Sequence, residues 1–250
     1  MNLPRHVIYE ADTLFFLVPE NRRFVWPGLY LDYVSDLREV PYPGGVFEMK
    51  TLALQPRLFL LERFYMQDEV EMLLGKARDF KRAYNNMSFP IEIPHYQNLR
   101  FTRLVFDPLQ EETLSTKSDI LYFNSTRKTD PPNWDATEIP DDEGINNFVS
   151  VIAALNNVKG GGEIVFPFAT SAEKSLSISE LNNFRADFSP ERVCSDKSLG
   201  LRINLKQGQA IMWYSLKVDD YFDGLLDPFS LYYHCPVTEG EKWVCARNGN

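Results

Sequence analysis

The chain has 250 residues, which suits one compact domain with an appendage or two small domains. Hydrophobic residues make up 44% of the chain and aromatic residues 14%, which excludes wholesale disorder because this much apolar surface can form a core. The net charge of −9 argues against nucleic acid or an anionic membrane as a partner. No apolar run approaches the roughly 20 residues that a membrane-spanning helix needs.

Residues 1–55 differ from the rest of the chain. They are rich in both proline and aromatic residues, and neither a helical nor an alternating period persists for more than a few positions. This pattern predicts an extended arm that buries its aromatic side chains, either against its own domain or across a partner protein. The first residues match neither a signal peptide nor a transit peptide, so we expect an intracellular protein without a cleavable signal.

Residues 56–250 are expected to form one folded domain. A short apolar strand at 56–64 precedes an amphipathic helix at 66–83, in which acidic residues come early and basic residues late, as the helix dipole favours. Short strands separated by turns follow, which predicts an α+β protein with a jelly-roll or barrel-like β core. The predicted strands are 99–106, 118–123, 149–155, 163–166, 201–205, 210–216, 230–234 and 242–246. The polar stretch 125–144 is interpreted as a long exposed loop.

Four ordered blocks resemble the prolyl 4-hydroxylase family of iron(II)- and 2-oxoglutarate-dependent oxygenases. They are "PRLFLLERFYMQDEVEMLLGKA" (56–77), "VIAALNNVKGGGEIVFPFA" (151–169), "LKQGQAIMWYSL" (205–216) and "LDPFSLYYHCPVTEGEKW" (226–243). The last block is similar to the family's "LDP.SLH.GCPV..GEKW". The resemblance implies a double-stranded β-helix, in agreement with the strand pattern.

The family binds iron with two histidines and one carboxylate, and a lysine pairs with 2-oxoglutarate. By resemblance Lys242 is that lysine, and Tyr232 takes the place of the distal histidine. The best match to the proximal His-x-Asp is "TKSDILYF", which places Lys117 on the histidine and Asp119 on the aspartate. One ligand of three is then retained. His234 lies about 6.6 Å along the strand from Tyr232, too far to replace the missing ligand.

The lysine at position 117 predicts that iron binding in the family's manner is lost. A protonated lysine about 4 Å from a dication would repel it by roughly 8 kcal/mol at an effective dielectric of about 20. We interpret Lys117 as the charge that stands in for the metal beside Asp119. Lys242 then either still holds a dicarboxylate or pairs with a neighbouring acid. No catalytic residue, metal or cofactor is assigned.

The cysteine count indicates a reducing compartment, because three cysteines are too few for a disulfide framework. A disulfide between Cys194 and Cys235 is conceivable in secreted relatives, but we expect two buried free thiols here.

Three functional hypotheses follow. The first is a non-catalytic structural or accessory subunit that other protein subunits contact through the arm. The resemblance extends to accessory subunits of mitochondrial respiratory-chain complexes, which implies a mitochondrial location. The second is an active oxygenase with unusual ligation that hydroxylates prolyl residues, and the third is a binding module for 2-oxoglutarate or a proline-rich peptide. The missing ligands and the aromatic arm favour the first.

Overall fold

The computed structural model describes short antiparallel strands and two helices. It covers residues 7–10, 13–16, 24–37, 47–84, 88–93, 101, 117–126, 133–136, 147–170, 189–217 and 225–249. The strands among these residues are β1 (Val7–Glu10), β2 (Thr13–Phe16), β3 (Val34–Leu37), β4 (Phe47–Ala53), β5 (Leu58–Glu62), β6 (Ser88–Glu92), β7 (Lys117–Asn124), β8 (Val149–Ala154), β9 (Gly160–Gly161), β10 (Ile164–Phe166), β11 (Leu201–Ile203), β12 (Ala210–Tyr214), β13 (Tyr233–His234), β14 (Val237–Glu239) and β15 (Glu241–Gly249). The helices are α1 (Gln67–Tyr84) and α2 (Pro190–Ser195), with a short 3₁₀ turn at Pro228–Ser230.

Eight of the described strands form one antiparallel sheet in the order β3–β4–β5–β12–β8–β15–β7–β6. Side chains along a strand point to opposite faces in turn, and in β12 both sets are buried. Ile211 and Trp213 join a cluster shared with a smaller sheet, whereas Met212 and Tyr214 join a cluster shared with α1. The large sheet is therefore the middle layer between a helix and a second sheet.

The smaller sheet contains β11, β10 and β13 in that order. Ile164 and Ile203 face the large sheet and share its apolar cluster. On the other side, Val165 and Tyr233 share a cluster with Val193 of α2. Two antiparallel sheets over a common apolar core are the layers of a jelly-roll. The β-rich jelly-roll core expected from the strand pattern is thereby confirmed.

Helix α1 covers the outer face of the large sheet. Leu73 and Ala77 recur at helical spacing and are fully buried there. Acidic residues occupy its first turn and basic residues its last, and the Glu69 carboxylate accepts a hydrogen bond from the backbone N–H of Met66 over 2.6 Å. The predicted helix is confirmed to within one residue at each end. Neither α1 nor α2 combines the length and the apolar composition of a membrane span.

Most of the predicted strands are recovered in whole or in part among the described residues. Only the last two residues of 230–234 are strand, because the 3₁₀ turn occupies the start of that range. Of the predicted strand at 99–106, Phe101 alone is described, and it is helical, so the prediction is wrong at this residue. The remainder of 99–106 lies outside the described residues.

Part of the predicted N-terminal arm belongs to the sheet of the domain. β4 pairs with β5, and β3 pairs with β4 at the edge of the sheet. The backbone N–H of Trp26 donates a hydrogen bond to Tyr214 Oη over 2.9 Å. These segments therefore pack against the domain that was expected to begin at residue 56. Most of the rest of 1–55, apart from the β1–β2 hairpin, lies outside the described residues.

Cys194 and Cys235 form a disulfide, so the expectation of two free thiols is wrong. The Arg202 guanidinium explains how α2 comes to lie over β13. It donates hydrogen bonds to carbonyl oxygens at the end of α2, that of Cys194 among them at 2.9 Å, and to the Glu163 carboxylate over 2.7 Å. A count of cysteines cannot reveal this proximity, because the two residues are 41 positions apart. Cys245 is a buried free thiol whose pKa is raised by burial.

Candidate functional site

The 3₁₀ turn at Pro228–Ser230 places Tyr232 at the smaller sheet. Asp227 caps this turn, since its carboxylate accepts a hydrogen bond from the backbone N–H of Phe229 over 2.9 Å. Pro228 favours the first helical position because its φ is already restricted and it has no N–H to satisfy. The chain then leaves the turn in an extended conformation and enters β13.

A loop segment is joined to this strand by a backbone bridge. Asn133 and Tyr232 each donate a backbone N–H to the carbonyl oxygen of the other, over 3.0 and 3.1 Å. The bridge holds the loop residue Asp135 next to Tyr232. The long loop predicted at 125–144 is therefore not wholly exposed, since Asp135 is half-buried and Ala136 is buried.

The side chains of Asn133, Asp135 and Tyr232 form a closed set of hydrogen bonds, here called the polar triangle. Tyr232 Oη donates to Asp135 Oδ1 over 2.8 Å, and Asn133 Nδ2 donates to the same oxygen over 3.0 Å. Asn133 Nδ2 also donates to Tyr232 Oη over 2.9 Å. Within the triangle the carboxylate thus receives two hydrogen bonds, both from neutral groups, and the triangle contains no cationic side chain.

The surroundings of the triangle disfavour charge on the carboxyl group. Burial raises the pKa of Asp135, and the hydrogen bonds with Ser150 and Tyr232 offset only part of that effect. The Tyr232 ring is 5% exposed and packs edge-on against Trp213, with 5.0 Å between ring centroids. A carboxylate next to aromatic rings loses hydration that hydrogen bonds must replace.

The polar triangle does not fit the iron site that the resemblance implies. An Fe(II) facial triad presents two imidazole nitrogens and one carboxylate, each with a lone pair directed at the metal. Here an amide and a phenol stand beside the carboxylate, and both direct a proton at its Oδ1 atom. Within the part of the chain that the structure describes, no three His, Cys, Asp or Glu side chains converge as possible metal ligands.

Lys117 and Asp119 lie elsewhere, on β7. Asp119 is exposed and pairs across the ladder with Ala246 of β15. Phe123 lies at the end of β7 that approaches the smaller sheet. The centroid of its ring is 4.9 Å from that of the His234 ring. Four residues of strand span about 13 Å, so Asp119 is far from that end. The structure therefore does not bring Asp119 to Tyr232.

The interpretation of Lys117 as a substitute for the metal charge is corrected accordingly. An exposed carboxylate such as that of Asp119 keeps its hydration and needs no buried cation beside it. The carboxylate beside Tyr232 is that of Asp135, and the residue two positions before it is Asn133. Hydrogen bonds from Asn133 and Tyr232, rather than a lysine ammonium group, stabilise this carboxylate.

The sequence contains a signal for the polar triangle, but a match of His-x-Asp to a strand does not find it. "NWD" at 133–135 has the same spacing as His-x-Asp, with a carboxylate two residues after a polar residue. It lies in a polar loop without strand periodicity, so a search for a motif beside an aromatic strand favoured 117–119 instead. The bridge to Tyr232 is a tertiary contact across 99 positions and has no local signature.

Lys242 lies deep in the core next to His234. Its Nζ atom donates to the carbonyl oxygen of Gly162 over 2.7 Å and lies 3.1 Å from His234 Nδ1. The two side chains are 4% and 7% exposed. The family pattern has glycine at the position of His234, so an imidazole here fills space beside the lysine that a glycine would leave open. His234 does not join the triangle, and its ring centroid is 5.5 Å from that of Tyr232.

Comparison with known proteins identifies plant relatives and a viral structure of similar fold. The chain is 37% identical to Prolyl 4-hydroxylase 2 of Arabidopsis thaliana over 219 residues, covering 80% of this chain and 69% of that protein. It is 33% identical to Prolyl 4-hydroxylase 13 of Arabidopsis thaliana over 261 aligned residues, covering 96% and 85%. A viral collagen prolyl hydroxylase from Paramecium Bursaria Chlorella virus-1 has the same fold at 15% identity, with a TM-score of 0.53 and coverage of 76% and 87%. No family model matches the chain.

Proposed function

This chain belongs to the prolyl 4-hydroxylase family, and on that premise we propose that it is a non-catalytic member that serves as an accessory subunit of a protein assembly. The observation that carries the proposal is the polar triangle of Asn133, Asp135 and Tyr232. Both neutral members direct a proton at the one carboxylate. Oxygenase chemistry of this class needs two imidazoles in their place.

The surroundings of Lys242 support the same proposal. In the family, the resemblance assigns this lysine to the carboxylate of 2-oxoglutarate. Here the His234 imidazole lies 3.1 Å from its ammonium group, and the Phe123 ring lies 5.2 Å from it. A side chain of the protein itself thus occupies the volume beside the lysine. We infer that the cosubstrate position is filled from within the chain.

The accessory role rests on the N-terminal segment. Among the described residues, three of the four large hydrophobic side chains that are exposed lie at Tyr30, Leu31 and Val34. Apolar side chains grouped in this way favour a protein partner. The disulfide between Cys194 and Cys235 favours an oxidising compartment. We propose that the assembly is a mitochondrial respiratory-chain complex and that this subunit lies on a side of it where disulfides persist.

The test is an anaerobic Fe(II) titration of the full chain with 2-oxoglutarate, followed by the visible charge-transfer band of the ternary site. We expect no band from the native protein, with circular dichroism confirming that it is folded. A stoichiometric band would overturn the proposal and favour the alternative, an active dioxygenase that acts on prolyl residues.

A pair of matched variants locates the metal position. Asn133→His combined with Tyr232→His and His234→Gly restores two imidazoles at the triangle and reopens the space beside Lys242. We expect the band to appear in this variant. The control carries Lys117→His in place of Asn133→His and has the same number of new histidines. A band in the control alone would show that the triangle is not the ligand position and would remove the basis of the proposal.

A further inference from the structure

The eight-stranded sheet ends at β6 on one side and at β3 on the other, and the two edges differ. Native proteins protect sheet edges with proline, lysine or a covering segment, because an open edge pairs with other strands. β6 contains Pro90, which lacks a backbone N–H and so cannot donate to an added strand. β3 has the sequence VSDL, which contains neither proline nor lysine. Among the strands that the structure describes, β3 pairs with β4 alone.

The backbone of β3 directs its hydrogen-bonding groups alternately towards β4 and away from it. The carbonyl oxygen of Tyr33, just before β3, accepts a hydrogen bond from the N–H of Thr51 over 2.9 Å. Such positions recur at every second residue of an antiparallel pair. Val34 and Asp36 therefore direct their N–H and C=O groups away from β4, where a further strand would bond to them.

The side chains of the same two residues lie on one face of the sheet. Val34 is 48% exposed, and Asp36 is also exposed. Glu48 of β4 lies directly opposite Asp36, and Glu62 of β5 lies directly opposite Glu48. Like charges in opposite positions destabilise a sheet. The Arg63 guanidinium approaches the middle of this acidic row, at 3.5 Å from Glu48 Oε1, and a cation beyond Asp36 would offset the repulsion at its end.

We propose that β3 binds an extended segment of a partner protein, which adds to the sheet antiparallel to β3. The segment places a lysine or arginine opposite Asp36 and an apolar side chain opposite Val34. This inference rests on the proposed accessory role, which requires a protein partner, and it specifies the chemistry of that partner. A second copy of this chain does not supply the segment, because its own β3 carries the same acidic residue and each copy has a net charge of −9.

The probe that tests the proposal is a short synthetic peptide in which threonine alternates with lysine and valine. In an extended conformation this peptide presents lysine and valine on one face. Titrated into the isotopically labelled full chain, it should saturably shift the amide NMR resonances of Val34 and Asp36. A peptide with glutamate in place of lysine is expected to bind more weakly. Equal affinities of the two peptides, or no saturable shift at these two amides, would overturn the proposal.

The variant Asp36→Lys tests the charge pairing. It should lower the affinity for the lysine peptide roughly fivefold, or about 1 kcal/mol, as expected for an exposed ion pair, and raise the affinity for the glutamate peptide. Glu239→Lys makes the same change of charge at an exposed residue of β14, which pairs with β9 outside the large sheet. This control is expected to bind both peptides as the native protein does. Unchanged affinities in Asp36→Lys would overturn the proposal.

The peptide titration and the iron titration fail independently. A charge-transfer band with iron would overturn the non-catalytic role, and the resonances of Val34 and Asp36 would still report on strand addition at β3. Failure of the peptide to bind, in protein that gives no band, would overturn strand addition alone.

Discussion

At the scale of the residue, the structure shows how the Asp135 carboxyl group is accommodated beside the aromatic ring of Tyr232. Asp135 is held by hydrogen bonds from Asn133 and Tyr232 to a single oxygen atom. Hydrogen bonds to a carboxylate lower its pKa, whereas burial raises it, and here burial is the larger effect. Folding therefore makes the Asp135 carboxyl group harder to ionise.

Because burial raises the pKa of Asp135 more than the hydrogen bonds lower it, the stability of the protein should depend on pH. The folded-state pKa of Asp135 is above its ordinary value of 3.8, so the folded chain binds this proton more tightly than the unfolded chain does. The native protein should lose stability relative to Asp135→Asn as the pH rises from below 3.8 through the folded-state pKa. Urea unfolding at a series of pH values measures this difference. Asp119→Asn removes an exposed carboxylate and is the control. Parallel profiles for Asp135→Asn and the native protein would contradict the prediction.

At the scale of the element, α2 is held against the smaller sheet by ionic and covalent contacts. The Arg202 guanidinium donates hydrogen bonds to carbonyl oxygens of α2 and to the Glu163 carboxylate, which Lys197 also contacts. Burial opposes ionisation of Glu163, but these two cations outweigh it and hold the pKa of Glu163 below its ordinary value. The disulfide between Cys194 and Cys235 fastens α2 to the strand that follows Tyr232.

Removal of this disulfide should destabilise the protein substantially. The bond closes a loop with a sequence separation of 41, for which chain entropy gives about 4 kcal/mol. Cys194→Ser/Cys235→Ser should lower the free energy of unfolding by about this amount. A reductant should lower that of the native protein similarly and leave the variant unchanged. If the native protein and the variant were equally stable without reductant, the disulfide would contribute nothing.

At the scale of the whole molecule, the sheet is extended by strands from the N-terminal segment. β3 is an edge strand of the eight-stranded sheet, and Val34 on this strand is 48% exposed. Tyr30 lies just before it, is 54% exposed, and makes an edge contact with the Tyr33 ring. An edge strand beside exposed apolar side chains is a surface that proteins normally cover.

We expect this surface to mediate assembly. Tyr30→Ser/Val34→Ser should shift the protein from a large complex to free protein on native gels of cell extracts, because it removes apolar contact area without disturbing buried residues. Leu225→Ser is the matched control, since Leu225 is 45% exposed outside the segment. A native protein that migrates as a free monomer would contradict the accessory role. Retention of the complex by the double variant would move the interface elsewhere.

The elements that could be predicted from the sequence are those with local causes. The period of 3.6 and the order of charges specify α1, and the short apolar runs specify strands such as β8 and β12. β4 was missed although Met49, Thr51 and Ala53 alternate inward, because the prolines before it masked the signal. Four blocks of similar sequence were enough to indicate the family and its jelly-roll core.

The site, by contrast, was decided by tertiary structure. The sequence by itself determined that histidine is absent at position 232 and that lysine is present at 242. Which residues stand beside Tyr232 depended on a backbone bridge to Asn133, and the link between Cys194 and Cys235 depended on how α2 packs over β13. Such contacts join segments that are distant along the chain. Their formation follows from burial and hydrogen bonding in the assembled fold, which local patterns of residues do not encode.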